Sequence, residues 1–197
     1  MLFQSFALTF TAVFVALDII GTLPMYISMT QDMSRDGRVR VANVSMAVAL
    51  VVAFLFVILG ERVFHFLGIT LFDFRIAGGL VLLLVSLVDL VGRHEATNRA
   101  SGSTGIVPLA VPLITGPGVI TTLILQVSNA GYLITIVALL LNYLLAWILL
   151  RNSGRVTALI GRDGAVVISK IAALLLSAIA VGMIRGGILE AIRDAGR

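Results

Sequence analysis

Asp18 lies between the apolar stretches VFVAL and II, and a carboxylate at that depth in a lipid-soluble segment is costly enough to be read as functional by default. Just beyond it come Gly21, Thr22 and Pro24. Far downstream, the stretch PLITGPG (112–118) sets Thr115, Gly116, Pro117 and Gly118 within a run, 106–125, that carries no charge. A proline inside a helix costs about 3 kcal/mol or more. Each glycine adds up to about 1 kcal/mol relative to alanine, so such a cluster predicts a span that unwinds and then resumes. Unwound backbone presents bare N–H and C=O groups, tolerated at membrane depth only where protein buries them or where they line a watery cavity. A half-helix that starts there carries roughly half a positive charge at its N-terminus and suits a small anion such as a carboxylate. The carbonyls that close the preceding half-helices, near 17–19 and 110–112, suit an ammonium. Together the two poles fit a small zwitterion.

Each break assigns roles to its residues. Pro117 fits the first position of a half-helix, where its missing N–H is no loss, with Thr115 or Gly116 as the cap. Thr22 caps in the same way ahead of Pro24, and Gly21 supplies the backbone freedom to leave the helix. For Asp18 two readings stand side by side: a functional carboxylate, with proton coupling among its roles, or a protonated structural acid bonded to freed backbone N–H groups. Thr121, Thr122 and Gln126 follow the second break at helical spacing; with Asn43 and Asn142 they either line a cavity or bridge helices. Gly78, Gly79, Gly182 and Gly186 read as close-packing surfaces. Asp73, Arg75 and Lys170 sit in opening turns, suited to orientation or to ion pairing between halves of the chain, while Asp89 and Arg185 lie near span ends and snorkel. His65 and His94 lack metal-ligand spacing, and no HExxH, Walker A or GxSxG pattern occurs. With no cysteine, thiolate metal sites and disulfides are excluded. No cofactor is expected.

The elements that must hold these residues are membrane helices. Of the 197 residues 59% are hydrophobic and 12% charged, with a mean hydropathy of +1.11, against an apolar share of roughly 45–50% in soluble domains. Uncharged runs near the ~20 residues a crossing needs predict six spans, 5–30, 41–60, 72–92, 106–128, 132–150 and 166–187, within one membrane domain. The first has no basic residue ahead of it and no cleavage site, so it is expected to be retained. Loops 31–40, 93–105 and 151–164 hold three, two and three arginines, which puts them on the cytoplasmic side and both termini on the other. The net charge of +4 forms no polybasic block, which disfavours nucleic acid as a partner. The segment GERVFHFLGITLF (60–72) reads as an interfacial stretch, and ASGSTG (100–105) as a linker at mid-chain.

That linker separates two similar halves, about 1–95 and 105–197. Placing Pro24 on Pro117 aligns IIGTLP (19–24) with PLITGP (112–117), matching Thr22 to Thr115. RIAGG (75–79) falls on KIAAL (170–174). Three spans is an odd number, so the second half enters the membrane from the opposite side, giving an inverted repeat.

DIIGTLP (18–24), RIAGGLVLLLVSL (75–87), IVPLAVPLITGPGVITTL (106–123) and KIAALLLSAIAVGMIRGGI (170–188) resemble the MarC/SnatA family of bacterial and archaeal membrane proteins over essentially the whole chain. In that family the first motif looks like DPxGxxP; here Ile19 occupies the first proline's place, which implies a gentler break in the first span than in the fourth. The resemblance implies an all-α polytopic membrane protein of six transmembrane helices in two inverted three-helix repeats, with discontinuous first and fourth helices. It also implies a secondary transporter of small neutral amino acids such as glycine and alanine, energised by a coupling ion, proton or sodium, in the plasma membrane. The family is similar in turn to LysE-type exporters, which leaves the direction of flux open. A membrane-embedded lipid-modifying enzyme is the rival. Its nearest acids and bases, Asp73, Arg75, Asp163 and Lys170, fall on opposite faces and do not converge. A passive channel would also fit broken helices, and accumulative uptake separates it from a transporter.

Overall fold

A computed structural model describes residues 2–30, 33–91 and 114–196. Among these residues there are seven helices and no strand: α1 (Leu2–Leu17), α2 (Ile19–Thr30), α3 (Arg35–Leu67), α4 (Leu71–Val91), α5 (Pro117–Ala130), α6 (Tyr132–Arg151) and α7 (Ser153–Ala195). Helices are what an apolar chain in lipid must form, since each satisfies its own backbone hydrogen bonds. Five stretches are long and apolar enough to cross a bilayer: Leu2–Ile27, Arg35–Gly60, Leu71–Val88, Tyr132–Arg151 and Lys170–Ala195. Of the fourth predicted span, 106–128, only the part from Ile114 onward is described. The 93–105 loop, its ASGSTG linker and the carbonyls near 110–112 lie outside the described residues.

Local chemistry sets the corners. The Ser34 hydroxyl accepts from the Gly37 N–H at 3.2 Å to open α3, and Gly68 closes it at a left-handed φ of 66°. Thr70 and Asp73 then form a capping box: the Asp73 carboxylate accepts from the Thr70 N–H at 3.0 Å, and the Thr70 hydroxyl accepts from the Asp73 N–H at 3.1 Å. Asp73 is thereby a helix-start residue. Gly131, at φ 82° and ψ 167°, alone separates α5 from α6; that region of backbone space is essentially closed to residues with a Cβ.

Two expectations need correction. The helix that carries the span read over 41–60 runs from Arg35 to Leu67, its crossing part Arg35–Gly60, so most of the 60–72 segment is the last two turns of α3 beyond that crossing and the corner after it. Phe64 holds those turns down against Phe74 of α4, ring centroids 5.0 Å apart, with Phe56 5.8 Å from Phe64. The loop read over 151–164 is helical from Ser153 onward, as the opening of the 43-residue α7. Neither stretch contains a proline, so no amide is missing from the helical ladder. At 1.5 Å per residue α7 is about 65 Å long, roughly twice the ~30 Å hydrocarbon core; its crossing part is Lys170–Ala195.

In lipid, helix association rests on close backbone approach and interhelical hydrogen bonds, and the α4–α7 pair uses both. Arg75 pairs with Glu190 at 2.6 Å near one end, the Ser86 and Ser177 hydroxyls meet at 2.8 Å, and the Lys170 ammonium donates to the Leu90 carbonyl at 3.3 Å near the other. Residue numbers rise on one helix as they fall on the other, so the two are antiparallel. Gly79 lies against the Ala180 carbonyl and Ile184, and Gly187 against Ile76 and the Phe72 carbonyl. Of the glycines expected to pack closely, Gly78 meets Pro117 instead, while Gly182 faces open space. Elsewhere Trp147 donates to the Asn43 side chain at 2.8 Å, and Asn142 to the Phe10 carbonyl at 3.2 Å, so both asparagines bridge helices. The core gathers Val13, Leu17, Tyr26, Met46, Ala49, Leu123, Leu139 and Tyr143. Large apolar side chains cover the outside, where lipid would meet them.

A methyl group on Gly79 would lie 2.8 Å from the Ala180 carbonyl oxygen, so Gly79→Leu is expected to destabilise the fold by about 1–3 kcal/mol through overpacking. Gly182→Leu, with nothing in its way, is expected to leave the melting temperature in detergent unchanged or higher. Equal melting shifts for the two would contradict the α4–α7 packing.

Candidate functional site

The first interruption is one residue wide. Asp18 stands alone between α1 and α2 at a φ of 42°, in the left-handed region that aspartate tolerates better than most residues. Its carbonyl accepts from the Thr22 N–H at 2.9 Å, and its carboxylate Oδ1 accepts from the Gly21 N–H at 3.2 Å, which makes it the N-cap of α2. Gly21 is required by this approach, because a Cβ there would fall 2.5 Å from Asp18 Oδ2. The break was expected further along, with Thr22 as the cap and Pro24 opening a half-helix. Instead α2 begins at Ile19, and Pro24 lies inside it. Aspartate outranks threonine as an N-cap, so the helix restarts at the earlier site.

The consequence is a set of oxygens without donors. Pro24 has no N–H to offer the carbonyl of Ile20, one turn earlier. The Thr22 hydroxyl is buried, at 3% exposure, and has no hydrogen-bond partner among the described residues. Asp18 Oδ2 is buried without one as well. Buried polar atoms are rarely left so. This break is receptive to a donor.

The start of α5, where the second interruption is expected, has the opposite character; the residues just before Ile114 lie outside the described ones. Thr115 leaves the helical path, Gly116 caps α5 in extended conformation (φ −79°, ψ 173°) with no side-chain hydrogen bond, and Pro117 takes the first helical position. With no capping side chain, the N–H groups of Gly118 and Val119 in the first turn of α5 have no intrahelical acceptor and no acceptor among the described residues. Thr115 is fully buried: its hydroxyl donates to the Ala49 carbonyl at 2.7 Å and meets the Tyr143 hydroxyl at 2.7 Å, tying the break to α3 and α6. A side chain on Gly78 of α4 would overlap the Pro117 ring. Thr121 and Thr122 turn their hydroxyls onto their own helix, at 2.8 Å from the Pro117 carbonyl and 2.7 Å from that of Gly118, rather than into open space.

A polar tie joins α1 to α5. Thr9 donates to the Gln126 side chain at 3.1 Å. From that bond, nine residues lead along α1 to Asp18 and nine lead back along α5 to Pro117, ~13 Å in each case. Leu17, Ile114 and Val119 belong to one core cluster. α1 packs on α5, with Asp18 and Pro117 equally far along their helices from the Thr9–Gln126 bond. Tyr143 and Ala49, which hold Thr115, were not anticipated; a tyrosine next to Asn142 in an otherwise apolar span was the one available signal.

Residues 3–192 match the sequence profile described as MarC family integral membrane protein. The chain is 33% identical to a UPF0056 membrane protein of Methanocaldococcus jannaschii, covering 96% of this chain and 98% of that one. It is 30% identical to the UPF0056 membrane protein YhcE of Escherichia coli (strain K12), covering 91% and 89%. No solved structure matches it.

Thr115→Val removes one hydroxyl and strands another, that of Tyr143, so it is expected to cost about 1–3 kcal/mol. Adding Tyr143→Phe should recover part of the loss. Chemical denaturation of the two variants in detergent measures the difference, and a double variant less stable than the single one by the full cost of Tyr143→Phe alone would show that the hydroxyls do not interact.

Proposed function

The chain belongs to the MarC family of integral membrane proteins, and from that premise we propose that it is a secondary active transporter of small neutral amino acids, glycine and alanine foremost. The observation that carries the reading is the pairing of unlike breaks, equally far along their helices from the Thr9–Gln126 bond. The first turn of α5 offers N–H groups to a carboxylate. Asp18 Oδ2, the Thr22 hydroxyl and the Ile20 carbonyl offer acceptors to an ammonium. Glycine at 21, 116 and 118 contributes no side chain to a site between the breaks, which would favour a substrate with a small side chain. Asp18, the carboxylate beside that space, couples a proton or sodium ion to the solute. Pro117 opens the helix after the second break, and Pro24, inside α2, withholds an N–H from the Ile20 carbonyl. In this reading Thr115, Thr121 and Thr122 shape the site rather than bind, and no covalent chemistry takes place.

The packing accords with two inverted three-span repeats. Exchanging the halves turns α2 into α5 and α4 into α7, and α2 packs on α7 as α5 packs on α4. Arg75 opens α4 and reaches Glu190 near the end of α7; Lys170 occupies the matching position on α7 and reaches Leu90 near the end of α4. Ala173, which corresponds to Gly78, is small and buried. Rocking of one repeat against the other would expose the site alternately to each side. The positive-inside rule, applied to the Arg-rich segments, supports an orientation with both termini on the non-cytoplasmic side, in the plasma membrane that the family resemblance implies.

Purified protein in liposomes is expected to accumulate labelled glycine or alanine when a proton or sodium gradient is imposed, and to stop when the gradient is collapsed. Gly116→Leu is expected to abolish accumulation while the protein still inserts and melts cooperatively. Gradient-independent equilibration would point to a channel, and wild-type accumulation by the Gly116→Leu protein would remove the site from this place.

A further inference from the structure

A cleft of about 330 Å³ opens between α3, α5 and α6, away from the breaks. Its inner wall is apolar, with Phe56 and Ile124, and its rim is polar, with Arg62, Ser128 and Tyr132. Among the described residues that line it, Arg62 is the only charged one. Gly60 forms part of the floor, where a Cβ would stand 2.6 Å from the Ile124 side chain, so α3 and α5 are pressed together just below the opening.

The same three helices meet again deeper in the protein. Ala49 of α3, Thr115 at the start of α5 and Tyr143 of α6 share the hydrogen bonds described above. Counting outward, Val57 is eight residues past Ala49, Ile124 is seven past Pro117 and Tyr132 is eleven before Tyr143. Those steps are ~10–17 Å along each helix, and all lead towards the cleft. Between the two levels Ala53, Leu123 and Leu139 are wholly buried. The cleft is therefore a blind vestibule standing over the second break and sealed from it by a plug of small and aliphatic side chains and the Thr115–Tyr143 node.

We infer that this vestibule is a loading site for the transported solute on the face opposite the Arg-rich segments, with the Arg62 guanidinium holding the carboxylate and the Ser128 and Tyr132 hydroxyls flanking it. The inference rests on the transport reading for the identity of the solute. A guanidinium pairs with a carboxylate through two parallel N–H bonds, and at the solvent-exposed mouth of a cleft such a pair is weak and weakened further by salt, which suits a site that must release its occupant inward. The apolar inner wall accepts a methyl group as readily as a hydrogen.

The chain has no cysteine, so Ser128→Cys places a single thiol on the rim. In proteoliposomes, glycine in the outer medium is expected to slow modification of that thiol by a membrane-impermeant maleimide several-fold, and acetate to do the same. Glycinamide, which lacks the carboxylate, is expected to have no effect. Arg62→Gln in the same background is expected to remove the protection, and Arg62→Lys to keep part of it. With serine restored, Arg62→Gln is expected to raise the KM for uptake from this face about tenfold, the loss of one charge-assisted contact worth 1.4 kcal/mol, while leaving the KM from the opposite face unchanged. Modification indifferent to glycine, slowed equally by glycinamide, or slowed only by anionic lipid would overturn the loading site. Labelled glycine uptake measured on the same vesicles separates the two readings. Uptake without protection sinks the vestibule alone, and protection without uptake sinks the transport reading while the cleft stands as a carboxylate site.

Discussion

Peptide groups in lipid have no water to bond with, so every one released from a helix must be met by protein or by a solute. The rest of this structure answers to that constraint. At the second break the answer is a set of neighbours: Gly78 admits the Pro117 ring, and Ala49 and Tyr143 take the Thr115 hydroxyl. At the first break only part of the demand is met. Asp18 caps α2 with one carboxylate oxygen and keeps the other unpaired, beside an unpaired threonine hydroxyl. The transport reading proposed above rests on that difference, since a donor-rich break facing an acceptor-rich one would suit a dipolar solute that two identical breaks would not.

What could be read in advance divides along the range of the forces involved. Pro117 at the first position of a helix and Gly116 as its cap follow from covalent geometry within two residues, and the structure has them so. Pro24 looks like an equal signal, yet the chain turns at Asp18. There the deciding term is a side chain reaching three residues forward to cap a helix, in competition with a proline that α2 can absorb at the cost of one carbonyl. The extension of α3 to Leu67 rests on Phe64 and Phe74 meeting across a corner, a contact with no local signature. Likewise, close-packing glycines were evident as a class. Which of them meets a helix and which meets lipid depended on the antiparallel register of α4 and α7, where Gly187 rather than Gly182 faces the partner.

On the repeat proposed above, the two halves of the chain differ more at the proposed site than in their helix packing. Arg75 and Lys170 still perform matching tasks at opposite ends of the α4–α7 pair, and the small residues Gly78 and Ala173 still occupy matching places. At the breaks, Thr22 is buried and unpaired while its counterpart Thr115 bonds twice. Symmetry persists where helices must pass each other closely, a steric requirement that both orientations share. It lapses at the breaks, where the transport reading proposed above would have a carboxylate and an ammonium make different demands.

Gly131 is the whole of the connection between α5 and α6, and Asn152 the whole of that between α6 and α7. A connection one residue long holds no slack, so these three helices are strung as a taut zigzag in which a shift at the head of α5 is felt at once by α6 and passed on to α7. Only glycine's φ of 82° and asparagine's bent backbone stand between one helix and the next.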